Sequence, residues 1–433
     1  MEWRSWSGLE SARPARVLHP VDTDAVATAV ARARDEGTPV KMVGTGHSFT
    51  GIARPEHTLL SPRRLTGLVA VDRDAMTATV RAGTPLHVLN AELEAHGLSL
   101  HNMGDIAEQT VAGAISTGTH GAGGVTAGLA AQVAALELVN GEGEVLRATA
   151  TENPDVLDLA RVGLGALGVL TTVTFRVEPI FLLEATEEPM SWDRALGSFD
   201  ELVDTHHHVD LYWFPHTDRL LTKRNDRLAA PVAEAAPLPR WRAWLDDELL
   251  ANTLFGAVLA GANRVPAVIP RMNRVNARLL SARTYSDVAH RVLTSPRRVV
   301  FREMEYAVPR EQGLAALREA RRVIERSGWR VGFPVEIRAA PADDVPLSTA
   351  YERDTVYLAF HTHRDADHTA YFAGVEPVLR AHGGRPHWGK LHSLGAEELA
   401  DLYPRFADFL ALRERLDPAR LFGNAYLRRT LGD

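Results

Sequence analysis

Residues 41–53 read KMVGTGHSFTGIA, an apolar strand that runs into a glycine turn and then presents a histidine, a serine and a phenylalanine. Two glycines one residue apart, Gly44 and Gly46, let the backbone approach a neighbour or a ligand closely. His47 and Ser48 beside them can serve as a ligand, a base or a nucleophile. The chain around them has to decide among these.

Working outward, residues 20–37 (PVDTDAVATAVARARDEG) predict a helix with Pro and Asp at its start, an Ala25, Val26, Ala29, Val30, Ala33 stripe and Gly37 at its end. Residues 67–85 predict two strands joined by a turn at 72–74, residues 86–97 a helix with Leu86, Leu89 and Leu93 inward, and residues 133–149 a hairpin turning at 140–143. Strands and helices alternate irregularly to about residue 178, an α+β pattern rather than regular βαβ repeats. Beyond about 183 the texture changes. Residues 206–226 carry strand-like aromatics and 229–238 an Ala/Pro-rich surface loop; amphipathic helices are predicted at 311–327 and 396–415, with strands at 332–341 and 354–365 between them.

Composition narrows the classes. With 433 residues, two domains or one large domain with an insertion are expected. A net charge of −7 with scattered basic residues argues against nucleic acid as a partner. There is no cysteine, which excludes disulfides, thiolate metal sites and cysteine nucleophiles. The longest apolar stretch, 254–270, is interrupted by Asn263, Arg264 and two prolines, and the N-terminus has no basic and apolar leader pattern. A cytoplasmic protein without a membrane partner is expected.

Two glycine motifs compete for a cofactor. GLGALG at 163–168 fits the dinucleotide pattern GxGxxG, but a helical segment precedes it and a β-branched one follows, the reverse of what a pyrophosphate at a helix N-terminus requires. It reads as a tight helix-to-strand turn near a ligand. GAISTGTHGAGG at 113–124 has glycines that clear one surface and Ser116, Thr117 and Thr119 hydroxyls among backbone N–H groups, a combination able to cradle a pyrophosphate without lysine. Elsewhere, VEIR places Glu336 and Arg338 on one strand face, either as a structural ion pair or as a fork onto neighbouring hydroxyls. A metal reading draws on His361, His363, Asp365, Asp367 and His368, with the histidines at 206–208, and would imply a metal-dependent hydrolase; it ignores every glycine segment, and no metal is expected.

Taken in order, WSG at 6–8, VGTGHSF at 43–49, NMGDIAEQTVAGAISTGTHG at 102–121, GALGVLTTVTFRVEP at 165–179, VEIR at 335–338, RPHWGK at 385–390 and LDPARLFGNAYL at 416–427 resemble FAD-linked oxidases of the vanillyl-alcohol-oxidase type, in the branch of aldonolactone and alditol oxidases. The resemblance implies an α+β fold: a two-part, PCMH-type FAD-binding domain at 1–178, a substrate (cap) domain at 179–384, and a segment at 385–433 that returns to the first domain. It implies covalent FAD, with the flavin 8α-methyl joined to His47. Val43, Gly44, Thr45, Gly46, Ser48, Phe49, Gly104, Asp105, Thr110, Gly113, Ser116, Thr117, Gly118, His120, Val169 and His387 match positions around that cofactor. Glu336, Arg338, Lys390 and His361 match catalytic positions, with Asp105 and Thr362 as substrate contacts, although the register at 359–363 leaves open which side chain points inward.

The implied reaction passes hydride from the carbinol carbon of a sugar lactone to flavin N5, with dioxygen reduced to hydrogen peroxide. Gly104, where related dehydrogenases carry alanine, is expected to leave room for dioxygen. An aldono-1,4-lactone of L-gulono or D-arabinono type is the first substrate, because NMGDIAEQTVAGAIS carries Asp105 where alditol oxidases have serine. An alditol is the alternative, as is a dehydrogenase that uses another acceptor.

Overall fold

The computed structural model describes residues 2–239, 261, 264–295 and 298–432, so 254–260, 262 and 263 of the apolar stretch lie outside the described residues. Helix Thr23–Asp35 begins where Asp22 accepts the Ala25 amide at 2.8 Å, which satisfies one orphan donor of the first turn. It buries Val26, Val30 and Ala33. Beside it three short parallel strands run Arg16–Leu18, Thr58–Leu60, Val40–Met42 across the sheet. A five-stranded antiparallel sheet follows in the order Val145–Ala148, Val133–Val139, Val169–Arg176, Thr77–Arg81, Leu68–Asp72, with both predicted hairpins in place. GLGALG joins helix Pro154–Ala160 to strand Val169–Arg176, the helix-to-strand order that the sequence implies.

The second large element is an eight-stranded antiparallel sheet: Arg283–Val288, Leu182–Ser191, Arg219–Leu228, His208–Trp213, Val335–Ala340, Thr355–His363, Phe301–Pro309, Arg385–Pro386. Helix Arg310–Ser327 turns Gly313, Ala316, Leu317, Ala320 and Ile324 onto one face of it. A Cβ on Gly313 would stand 2.6 Å from Val356, so the helix rests directly on the central strands. The helix expected at 396–415 is two, Ala396–Leu402 and Phe406–Leu416. Pro404 lies between them and has no N–H to continue the first.

After those helices the chain goes back to its beginning. Val40 donates its amide to the Leu421 carbonyl at 2.9 Å. Asn424 Nδ2 reaches the Gly51, Ile52 and Arg54 carbonyls, each at 3.0 Å, while its Oδ1 caps the last helix at Leu427. Among the described residues no helix is long and apolar enough to cross a membrane.

Candidate active site

A cavity of about 810 Å³, counting the solvent-open space at its mouth, lies between the three-stranded and five-stranded sheets, from Lys41 and Met42 on one to Val169 and Leu170 on the other. One wall is the turn from Gly44 to Ser48; a second carries Thr110, Gly113, Ser116 and Thr117; Val169 contributes to a third. Gly44 has to be glycine because a Cβ there would lie 2.3 Å from Thr110 Oγ1, and Gly46 takes φ +73° to swing the chain toward His47. Thr110 Oγ1 in turn accepts the Gly113 amide and starts the short helix Val111–Ser116.

His47 stacks on Trp6 with ring centroids 5.5 Å apart, and its Nδ1 is buried without a hydrogen-bond partner. Burial holds this imidazole below its ordinary range, so at neutral pH the ring is uncharged. A buried, unpaired ring nitrogen beside a cofactor-sized cavity fits a flavin attached at this residue.

Sequence reasoning missed Lys41 here. Its amine lines the cavity and donates to the Gly165 and Phe422 carbonyls at 2.9 and 3.0 Å. Burial lowers it to about 7, with Arg413 adding to the effect, since no carboxylate touches it. The signal available was a lysine inside an otherwise apolar strand.

The eight-stranded sheet presents a polar face toward the same region. Period-two alternation puts Glu336 and Arg338 on this face, and Arg338 Nε donates to Asp210 Oδ1 at 2.7 Å. Arg338 Nη2 lies 2.7 Å from Glu336 and 3.7 Å from Asp105. Two strands over, beyond Thr355–His363, Glu303 and Glu305 on Phe301–Pro309 share the face. Glu303 pairs with Lys390 and stands 3.4 Å from His361 Nε2. Glu305 accepts from His120 Nε2 at 2.8 Å, and the His120 ring stacks on Tyr357 at 3.5 Å.

Residues 387–391 lie along that strand: the His387 and Leu391 amides donate to the Glu305 and Glu303 carbonyls at 3.0 and 2.9 Å. Phe49 N donates to the Gly389 carbonyl at 2.7 Å, which ties this segment to the histidine turn. Burial opposes ionisation of Glu303, yet Lys390 and His361 hold it at about 2. The reverse holds at Lys390, where burial is outweighed by Glu303 and Glu305 and the amine is raised above its ordinary value. Burial pushes His387 down to about 3, and its Nδ1 accepts the Gly389 amide.

The structure therefore brings Glu336, Arg338, Lys390, His361, Asp105, His120 and His387 to one surface, and the turn, Thr110, Gly113, Ser116, Thr117 and Val169 to the adjoining cavity. Thr362 is not with them. Its partner across the ladder is Arg302, and it lines a separate cavity with Trp329, Phe333 and Tyr371, because a strand sends neighbouring side chains to opposite faces. Phe49 packs with Phe301 and Phe333, Val43 is buried, and Gly118 turns at φ +75° without lining the cavity. At Gly104 the place of a Cβ is taken by the Thr119 methyl, 2.8 Å away, so the missing side chain is filled by packing rather than left open.

Among the described residues, the one group of three metal-type ligands within 4.8 Å is His120, Glu305 and His387. The histidines at 206–208, 361 and 363 have partners of their own: His206 meets Asp226, His207 and His208 meet each other and His208 also Asn102, His361 meets Glu303, and His363 meets Asp365.

A family model described as "D-arabinono-1,4-lactone oxidase" matches residues 173–430, and an "FAD binding domain" model matches 14–149. The chain belongs to the D-arabinono-1,4-lactone oxidase family. It is 37% identical to the L-gulono-1,4-lactone dehydrogenase of Mycobacterium tuberculosis, with 99% of both chains covered. It is 30% identical to the L-gulonolactone oxidase of Bos taurus over 99% of this chain and 98% of that one. Cholesterol oxidase from B. sterolicum superposes with a TM-score of 0.83 over 99% of this chain and 96% of that one at 17% identity, a likeness of fold. The protein is accordingly an FAD-dependent oxidoreductase of this family with a two-part, PCMH-type FAD-binding fold, in which Glu303, Glu305, Asp210 and Lys41 join the residues expected from sequence.

Proposed function

We propose that this protein oxidises a ring hydroxyl of an aldono-1,4-lactone of L-gulono or D-arabinono type, with FAD held covalently by His47. The observation that carries the reading is the Glu336–Arg338 pair, braced by Asp210, on a buried polar face beside the cofactor cavity. The gulono- and arabinonolactone relatives support the substrate class. The bound flavin supplies the two-electron acceptor for hydride from the carbinol carbon.

The chain's own groups do the rest. The Arg338 guanidinium, turned by Asp210, donates to one substrate hydroxyl while Glu336 accepts from its neighbour and takes the proton that leaves as the carbonyl forms. Lys390, kept cationic by Glu303, supplies fixed positive charge where negative charge develops. His361, oriented by the Pro334 carbonyl at 3.1 Å, contacts the substrate from the same face, beside Glu303.

Dioxygen is the proposed final acceptor, leaving as hydrogen peroxide. A dehydrogenase is the second reading, favoured by the Thr119 methyl that fills the space beside Gly104 and by the dehydrogenase name of the mycobacterial relative. A panel of aldonolactones and alditols, assayed in parallel for peroxide and for dye reduction, tests all of this. Turnover of lactones with peroxide supports the first reading, and dye reduction without peroxide the second. Activity confined to alditols would replace the substrate.

A further inference from the structure

Among the described residues, those around the cofactor cavity are glycine, apolar, hydroxyl or amide groups, save Lys41 and His47; no carboxylate and no arginine lines it. FAD brings two negative charges on its diphosphate, and burial holds His47 uncharged. Lys41 is therefore the one side-chain cation that the cavity wall can offer, and the segment 113–124 does not face the diphosphate alone, as its sequence suggested.

Strand Val40–Met42 and the backbone around it place the amine. Val40 faces the Val26 and Val30 core, so alternation turns Lys41 the other way, toward the turn at 163–168. Its Nζ donates to the Gly165 and Phe422 carbonyls at 2.9 and 3.0 Å, and both residues belong to the cavity lining. An ammonium has three N–H groups. Among the described residues no third acceptor and no carboxylate meets this one. The charged groups packed around it are engaged elsewhere: Asp417 accepts from the Leu421 and Phe422 amides, Glu56 pairs with Arg428, and Arg413 donates to the Gly432 carbonyl. Burial, with Arg413 adding to it, holds the amine at about 7, so at neutral pH only part of the molecules carry the charge. The residue type matters too. Only three of the chain's 48 basic residues are lysines, and a buried lysine can release its proton where an arginine cannot.

We propose that Lys41 is the side-chain counter-charge of the cofactor's diphosphate and takes up one proton from solvent as FAD enters the cavity. The Nζ lone pair receives the proton, a buffer acid gives it up, and the third N–H gains its acceptor in a phosphate oxygen. A buried cation without an anion is costly, which keeps the amine largely neutral before the cofactor arrives, and the dinucleotide removes that cost. The inference rests on the FAD dependence of the family and is independent of the bond to His47.

Full-length His47→Ala protein, freed of flavin, provides the test, since this variant also removes the other titratable side chain of the lining. Calorimetric titration with FAD, in pairs of buffers that differ in heat of ionisation, should show uptake of about one proton per FAD at pH 8 and about none at pH 6. The Kd for FAD should be flat below pH 7 and rise about tenfold from pH 8 to pH 9. Riboflavin, which has no diphosphate, should bind without a proton. Adding Lys41→Met should abolish the uptake and weaken FAD binding at pH 6 about 100-fold, and Lys41→Arg should restore binding with neither uptake nor a pH slope. A flat Kd with Lys41 in place, uptake that persists in Lys41→Met or that riboflavin also elicits, or absence of FAD binding at pH 6 overturns the proposal. Colour freed by acid from the wild type would remove the covalent bond alone.

Discussion

Replacing His47 by alanine separates two things that the cavity does for FAD, enclosing it and fixing it. Acid precipitation of the wild-type protein is expected to leave the yellow colour in the pellet, and His47→Ala to release it to the supernatant; colour freed from the wild type would refute the bond. Glu303 is the other single residue on which much depends, for it is the counter-charge of Lys390. Without it, burial would draw the lysine down. Lys390 keeps its charge below its folded pKa and loses it above, so Glu303→Gln should move the alkaline limb of the kcat profile to lower pH, with kcat down about 100-fold. Glu303 itself is depressed to about 2 in the fold, so the stability it contributes is complete above the usual carboxylate range near 4.5 and is lost as pH falls toward 2. The variant should accordingly show a shallower loss of melting temperature across that acid window.

At the scale of elements, strand alternation settles the register that sequence left open between His361 and Thr362. Thr362→Val is expected to leave kcat/KM within about twofold, whereas His361→Ala should lower it about 100-fold, and a large loss in the threonine variant would reverse the assignment of faces. The same alternation made Glu336 and Arg338 legible as a pair, since two residues apart on a strand is local information. Glycine turns and the reversed order around GLGALG were legible for the same reason. Glu303 and Glu305 were not. They are ordinary glutamates in FREMEYAVP until the strand Phe301–Pro309 pairs with Thr355–His363 on one side and Arg385–Pro386 on the other, contacts that span 46 residues and more of chain. Likewise nothing local shows that Pro404 ends one helix instead of kinking a longer one, or that Gly104 is filled by Thr119.

For the molecule as a whole, the decisive contact is between its two ends. Asn424 holds three carbonyls of residues 51–54 and caps the last helix, so Asn424→Ala should cost about 2–4 kcal/mol, from the lost cap and from buried acceptors left unpaired. Chemical denaturation would read this directly, and a loss below about 0.5 kcal/mol would show that the C-terminal return is not what closes the fold.

This closure bears on how the protein is made. Val40 waits for Leu421, and the carboxylates of Glu303 and Glu305 wait for Lys390 and His387, so neither the cofactor cavity nor the charged face is finished before residues 387–424 have folded back. Flavin capture therefore comes after residues 387–424 have folded back, and protein cut short before residue 387 is expected to retain no flavin after gel filtration.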